Sequence, residues 1–170
     1  IDQIEKLKLS ESSSIFSIID TDKIGVFGHS FGGGTSLAAS ILDNRIKTCI
    51  SLDGWYLPVH PNIYSLGHSK PFLHLGQTEW DKETNYEILD KIIKKHNDVS
   101  YKLSLKGAEH NDFTDSPHLS KLTSKFNLSS ELESSEILEV TNTTVLGFFD
   151  SYLKLESSEW VQKIKNNKNI

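Results

Sequence analysis

Sulfur-containing residues are almost absent from this sequence, which has no methionine and a single cysteine, Cys49, in 170 residues. One cysteine cannot form an internal disulfide, so the class of small secreted scaffolds held together by disulfides is excluded. Cys49 stands in the short apolar run Cys49–Leu52. We therefore expect its thiol to be buried and unreactive.

Long apolar runs are also missing. Every apolar run is far shorter than the roughly 20 residues that a membrane-spanning helix needs. Residues 1–9 lack the charged-then-apolar pattern of a secretory signal and have the spacing of an amphipathic helix. Because no initiator methionine precedes them, we expect the sequence to begin inside a longer chain, and the compartment, cytoplasmic or secreted, is left open.

Basic residues are fewer than acidic residues in this sequence. The 18 Lys and Arg residues face 23 Asp and Glu residues, for a net charge of −5 and a pI near 5.8. This balance argues against a nucleic acid partner, which requires clustered basic residues. With 36% hydrophobic and 24% charged residues, the composition is typical of one soluble domain. Residues 156–170 are polar and are expected to fray, although Trp160 is able to anchor one turn.

Cofactor motifs are missing too. The run Gly32–Gly34 is not followed by the Lys and Ser or Thr of a phosphate-binding loop. No spacing of His, Cys, Asp and Glu typical of a metal site is found. The sequence therefore predicts neither a cofactor nor a metal.

The order of the predicted elements indicates an α/β fold. Strand-like runs separated by helical ones at 20- to 30-residue intervals are typical of a parallel sheet with helices on its faces. Helical spacing is also found in residues 15–19, and Thr141–Thr144 is predicted to cap a helix with an apolar face over residues 145–153. The predicted strands are Ile24–Phe27, Ile46–Leu52, Phe72–Leu75 and Tyr101–Leu105, and the main crossover helix is Glu83–His96.

The first strand leads directly into the pattern G-x-S-x-G at Gly28, Ser30 and Gly32. A strand, this turn and a following helix form a nucleophile elbow, in which the serine hydroxyl points out from a strained backbone. Ser30 is therefore the candidate nucleophile. The backbone N–H of Phe31, at the start of the next helix, is the candidate oxyanion donor.

A serine nucleophile needs a histidine base and an acid, and in an α/β-hydrolase sheet they follow it in the order acid, then histidine. Among seven histidines, His110 lies in a glycine-containing loop after the last strand, so it is the candidate base. His29 is expected to point away from the nucleophile beside it. The spacing leaves the acid open between Asp53, after the second strand, and Glu79 or Asp81, after the third.

Four blocks of the sequence together resemble the C-terminal part of the platelet-activating factor acetylhydrolases, the group VII phospholipase A2 family. The likeness covers about residues 20–155. It implies that the nucleophile is Ser30, the acid Asp53 and the base His110. The four blocks are Gly28–Gly33, Leu52–Pro58, Lys70–Leu73 and Lys106–Thr114.

The resemblance implies the C-terminal half of an α/β-hydrolase domain spanning residues 1–170, in which a mostly parallel sheet is flanked by helices. The family's second oxyanion donor lies in an N-terminal half that these residues do not include. Gly54 replaces the usual alanine after the acid, Tyr56 and Leu57 replace Met-Phe, and Asp112 adds a charge beside the base. Together with Trp55, Tyr56 and Leu57 are the predicted substrate pocket.

The function implied is calcium-independent hydrolysis of the sn-2 acetyl or short or oxidised acyl ester of phospholipids similar to platelet-activating factor. A stripe with Leu119, Leu122 and Phe126 is a candidate contact with a membrane or lipoprotein surface, and packing of that stripe on the sheet is the alternative. Two other functions remain open, a general carboxylesterase with the same triad and an inactive truncated relative that acts by binding.

Overall fold

Four parallel strands form the centre of the computed structural model, which describes residues 1–10, 15–80, 83–119, 129–156 and 159–167. The strands follow one another across the sheet in the order β1-β2-β3-β4. Phe27 pairs with Ile50, Ile50 with Leu73, and Leu73 with Tyr101. The α/β prediction is confirmed. The strands are β1 Ile24–His29, β2 Ile46–Leu52, β3 Phe72–Gln77 and β4 Ser100–Leu105.

Helices cover both faces of this sheet, as connections between parallel strands require. Five of them have the bounds α1 Asp2–Ser10, α2 Phe31–Leu42, α3 Pro61–Ser65, α4 Glu83–Lys94 and α5 Ser116–Leu119. The other two are α6 Ser134–Phe149 and α7 Trp160–Lys165. Residues Ile15–Ile18, predicted to be helical, form a 3-10 turn.

The two faces of β2 and β3 supply two separate hydrophobic clusters, because side chains alternate along a strand. One cluster joins Ile50 and Leu73 to Phe148 of α6 and Trp160 of α7. The other joins Phe72 to helices α2 and α4, and it includes Cys49, which is fully buried. Burial raises the pKa of the Cys49 thiol to about 12, so the thiol stays protonated at neutral pH.

Helix α6 begins earlier than the sequence analysis predicted. The proposed cap at Thr141–Thr144 is wrong, because the helix starts at Ser134 and Thr144 lies fully buried in its interior. Ile137 and Val140 continue the buried stripe of Phe148 toward the N-terminus at helical spacing. The helix therefore begins about two turns, and its apolar pattern about one turn, before the threonines.

The C-terminal segment packs against this helix. Trp160 and Ile164 of α7 are buried, so the polar tail expected from residue 156 contains an ordered turn anchored by Trp160. Gly147 of α6 permits the contact, because a Cβ atom there would lie 2.2 Å from the Trp160 Cβ. In the part of the chain that the structure describes, helices long and apolar enough to cross a membrane are not found.

Candidate active site

Ser30 stands in the sharp turn between β1 and α2. Its backbone has φ 58° and ψ −123°, a left-handed conformation that costs free energy for any residue except glycine. Gly28 makes the turn possible, because a Cβ at this position would come within 2.5 Å of the Gly32 backbone. The Ser30 carbonyl oxygen accepts hydrogen bonds from the backbone N–H groups of Gly33, Gly34 and Trp55. The turn thus presents the hydroxyl at the C-terminal edge of the sheet.

The His110 imidazole lies against this hydroxyl, with Nε2 2.9 Å from Ser30 Oγ. The loop after β4 carries His110 into a short 3-10 turn, His110–Phe113. The other ring nitrogen, Nδ1, is 2.6 Å from Asp53 Oδ2. The structure therefore brings Ser30, His110 and Asp53 together, although 80 residues separate the serine from the histidine.

Asp53 follows β2 and is fully buried, with a left-handed backbone at φ 42°. Its Oδ1 accepts hydrogen bonds from the backbone N–H of Gln77 at 3.1 Å and from the indole N–H of Trp80 at 3.0 Å. Burial by itself raises the pKa of this carboxyl, but the hydrogen bonds from His110, Trp80 and Gln77 outweigh burial and hold the pKa below its usual value. Asp53 is therefore a carboxylate at neutral pH.

The end of β3 and the loop after it supply donors to the Asp53 carboxylate. Of the two alternatives in this loop, Glu79 is exposed to solvent, and Asp81 lies outside the described residues. Trp80 was not among the residues predicted for the site. Its position three residues after the end of β3, in the same loop as the candidate carboxylates, was the feature that could have indicated it. Tyr86 of α4 was not predicted either, and its hydroxyl donates to the Gln77 carbonyl at 2.5 Å and lies 3.2 Å from Asp53 Oδ1.

His29, expected to point away from the candidate nucleophile, contacts the candidate base, His110. Its Nε2 lies 2.9 Å from the His110 carbonyl oxygen, and the two ring centroids are 4.5 Å apart. A carbonyl oxygen accepts only, so Nε2 of His29 carries the hydrogen. Burial lowers the pKa of His29, which favours the neutral imidazole. His29 thereby ties the end of β1 to the loop that carries His110.

Asp112, the added charge beside the base, serves a local structural purpose. It is buried, and its carboxylate accepts from the backbone N–H of Glu109 at 2.8 Å and of Ser130 at 3.1 Å. The first bond closes the turn that begins at His110, and the second attaches Ser130 to the same turn. The charge thus fixes the backbone on either side of the base.

A small apolar cavity of about 220 Å³ lies next to the elbow. Phe31 and Trp55 line it, with their rings edge to face at a centroid distance of 6.3 Å. Both side chains are more than a third exposed, at 57% and 37%. As the first residue of α2, Phe31 has a backbone N–H with no acceptor inside the helix.

The other predicted pocket residues lie elsewhere. Tyr56 is fully buried, and its hydroxyl donates to Ser51 Oγ at 2.7 Å and lies 2.9 Å from His74 Nδ1. Leu57 packs, half-buried, against the cluster beneath α2 and α4. Tyr56 and Leu57 therefore line the core, and Trp55 alone of the three faces the cavity.

Of the predicted lipid-contact residues, one is described. Leu119 ends α5 with 83% of its surface exposed, whereas Leu122 and Phe126 lie outside the described residues. Within the described ranges, groups of three or more His, Cys, Asp or Glu side chains placed to hold a metal ion are not found.

A parallel sheet covered on both faces, with a strand–serine–helix turn and an aspartate and a histidine meeting that serine at one edge, defines the α/β-hydrolase fold. A solved ferulic acid esterase from Streptomyces cinnamoneus has the same fold, with a TM-score of 0.70 and 24% identity over 92% of this chain and 49% of its own.

Within that fold the chain belongs to the family described as platelet-activating factor acetylhydrolase, isoform II, whose model matches residues 9–169. It is 30% identical over 141 residues to the platelet-activating factor acetylhydrolase of Gallus gallus, covering 81% of this chain and 33% of that protein. A probable 1-alkyl-2-acetylglycerophosphocholine esterase of Arthroderma benhamiae is 31% identical over 101 residues, 56% of this chain and 26% of its own length. The chain thus spans a third or less of these relatives' length.

Proposed function

We propose that this chain carries the catalytic triad of a serine esterase that hydrolyses the sn-2 acetyl, or a short or oxidised acyl ester, of phospholipids similar to platelet-activating factor. One observation carries the proposal. Ser30 Oγ, both ring nitrogens of His110 and Asp53 Oδ2 form an unbroken hydrogen-bonded series, with distances of 2.9 and 2.6 Å. Membership of the acetylhydrolase family supports the class of substrate.

The protonation states follow from the donors and acceptors. The Asp53 carboxylate only accepts, so His110 Nδ1 carries the hydrogen and Nε2 is free to accept from the Ser30 hydroxyl. When Ser30 Oγ attacks the ester carbonyl, its proton passes to Nε2, and Asp53 stabilises the imidazolium that forms. The backbone N–H of Phe31 faces the developing oxyanion at the start of α2.

The rest of the reaction reuses the same groups. Collapse of the tetrahedral intermediate breaks the ester C–O bond, and the imidazolium gives its proton to the departing lysophospholipid oxygen. Water then attacks the acyl carbon on Ser30 and passes a proton to His110. The bond between this carbon and Ser30 Oγ breaks, His110 returns the proton to Oγ, and the carboxylic acid leaves. The cavity beside Phe31 and Trp55, at about 220 Å³, has room for a short acyl group.

Replacement of the nucleophile tests the proposal. We expect Ser30→Ala in the intact protein to abolish labelling by a fluorophosphonate and to lower kcat on the order of 10⁶-fold, as loss of a triad serine does. Ser65→Ala is the matched control, because Ser65 is exposed and its hydroxyl bonds only locally to the Asn62 carbonyl. Turnover by Ser30→Ala at the rate of this control would refute the triad.

Comparison of two substrates tests the specificity. A short-chain phosphocholine ester cleaved with much higher kcat/KM than p-nitrophenyl acetate supports the phospholipid esterase. Equal values would identify a general carboxylesterase with the same triad. Contact of Leu119, Leu122 and Phe126 with a membrane or lipoprotein surface stays a prediction.

A further inference from the structure

Trp80 contacts both the acid and the base of the proposed triad. Its indole N–H donates to Asp53 Oδ1 at 3.0 Å. Its ring lies edge to face with the His110 imidazole, at a centroid distance of 5.0 Å and an interplanar angle of 75°. We propose that Trp80 is a positioning residue that sets the orientation of the Asp53–His110 pair. This inference rests on the proposed function, because it takes His110 as the base.

The two oxygens of the carboxylate have separate partners. Oδ2 bonds to His110, and Oδ1 accepts hydrogen bonds from the backbone N–H of Gln77 and the indole N–H of Trp80. If Oδ1 lost its donors, the carboxylate would be free to rotate about its Cβ–Cγ bond, and the 2.6 Å bond to His110 Nδ1 would lose its alignment. The donors on Oδ1 therefore determine where the imidazole points.

Among the described side chains that contact Asp53 Oδ1, Trp80 is the one that donates its only N–H hydrogen to this oxygen. The Gln77 N–H also donates to Oδ1, but it belongs to the backbone. The Tyr86 hydroxyl has one hydrogen, and the Gln77 carbonyl at 2.5 Å takes it in preference to Oδ1 at 3.2 Å. A substitution at position 80 thus removes the main side-chain hydrogen bond to Oδ1, the oxygen that does not contact His110.

Loss of this bond also changes the charge that the base experiences. An N–H donor stabilises the carboxylate and lowers the pKa of Asp53. Without it, less of the negative charge beside His110 is offset at Oδ1. The groups that face His110 are Asp53, the Ser30 hydroxyl, the neutral His29 and Trp80 itself, so no other described charge compensates. The pH dependence of turnover is therefore expected to change when this donor is removed.

The first test replaces Trp80 by Phe, which keeps an aromatic ring and removes the N–H donor. We expect kcat/KM to fall roughly tenfold, the value for a lost hydrogen bond to a charged group. We also expect the acidic limb of the pH–rate profile to move up by about half a pH unit. Tyr86→Phe is the matched control, because it removes a hydroxyl directed mainly at Gln77, and its limb should move less. An equal or larger shift in Tyr86→Phe would overturn the proposal.

A second variant removes the same donor without changing the shape of the side chain. Incorporation of 3-benzothienylalanine at position 80 replaces the indole N–H by sulfur, which keeps the fold if Trp80→Phe loosens it. We expect the same shift of the acidic limb. A profile identical to that of the wild type, in a variant with the wild-type melting temperature, would show that the N–H has no part in the site.

A double-mutant cycle separates positioning from general packing. If Trp80 acts through the carboxylate, Trp80→Phe in an Asp53→Asn background should add little to the loss caused by Asp53→Asn alone. Fully additive losses would mean that Trp80 acts independently of Asp53, and would overturn the proposal.

A spectroscopic readout needs no turnover. The proton between His110 Nδ1 and Asp53 should give a low-field NMR resonance that Asp53→Asn abolishes and Trp80→Phe shifts. An unshifted resonance contradicts the role of Trp80, even if Ser30→Ala has shown that the chain is no esterase.

Discussion

Substitution of Gly76, the fifth residue of β3, by alanine should damage the site without replacing any of the three proposed triad residues. A Cβ at this position would lie 2.5 Å from Asp53 Oδ1 and 2.6 Å from His74 Nε2. Ordinary contact begins near 3.4 Å, so one or both neighbours must move by up to about 0.9 Å.

Neither neighbour can move at low cost. Asp53 is held by several donors, and His74 is fully buried with its Nδ1 2.9 Å from the Tyr56 hydroxyl. Overpacking of this kind costs about 1–3 kcal/mol, which lowers Tm by several degrees in a chain of this size. A carboxylate displaced by nearly 1 Å no longer holds the imidazole in line, and such a misplacement lowers kcat/KM roughly a hundredfold.

Thermal unfolding and hydrolysis of a short-chain phosphocholine ester measure the two effects. Gly32→Ala is the control for stability, because the Cβ it adds has no neighbour within 4 Å and alanine is the better helix former. Its Tm should equal or exceed that of the wild type. If Gly76→Ala retained both the wild-type Tm and the wild-type kcat/KM, the close packing around Asp53 could not be what orients it.

Two further predictions concern stability. Burial lowers the pKa of His74 to about 4 from 6.5, so the unfolded chain binds more protons between these values and stability falls as the pH drops through them, by about 2 kcal/mol at pH 5. The free energy of unfolding, measured in urea near pH 7.5 and pH 5, should differ less between the two pH values for His74→Gln than for the wild type. An unchanged difference would contradict this assignment. Gly147→Ala should displace α7 and cost about 3 kcal/mol; limited trypsin digestion should then cleave after Lys163 sooner than in the wild type, and equal rates would argue against it.

The sheet could be predicted from the sequence because its strands are short apolar runs bounded by polar turns. Ile24–Phe27 and Phe72–Leu75 each extend two residues further in the structure, at ends where the sequence changes to glycine and polar residues. Helix α6 was harder to delimit. Its N-terminal half mixes serine and glutamate with Ile137 and Val140, so propensity and burial point in different directions and tertiary packing decides.

Part of the candidate site could likewise be predicted from the sequence, and part could not. Ser30 and His110 could be predicted because a local turn motif identifies one and the order of the strands identifies the other. The spacing did not choose between Asp53 and the carboxylates after β3, since both loops end at the same edge of the sheet, and the family resemblance made that choice. The contacts of Trp80, Tyr86 and His29 depend on side-chain directions between distant segments, which spacing along the chain does not encode.

Ser30 and Asp53 both have a positive φ, 58° and 42°, which suits glycine, yet each needs a side chain for the proposed chemistry. Backbone strain therefore favours glycine at these two positions, whereas the proposed chemistry requires serine and aspartate. A library of this chain selected for thermal resistance alone should accumulate glycine at position 30 and lose its reactivity, whereas selection for turnover should keep the costlier serine.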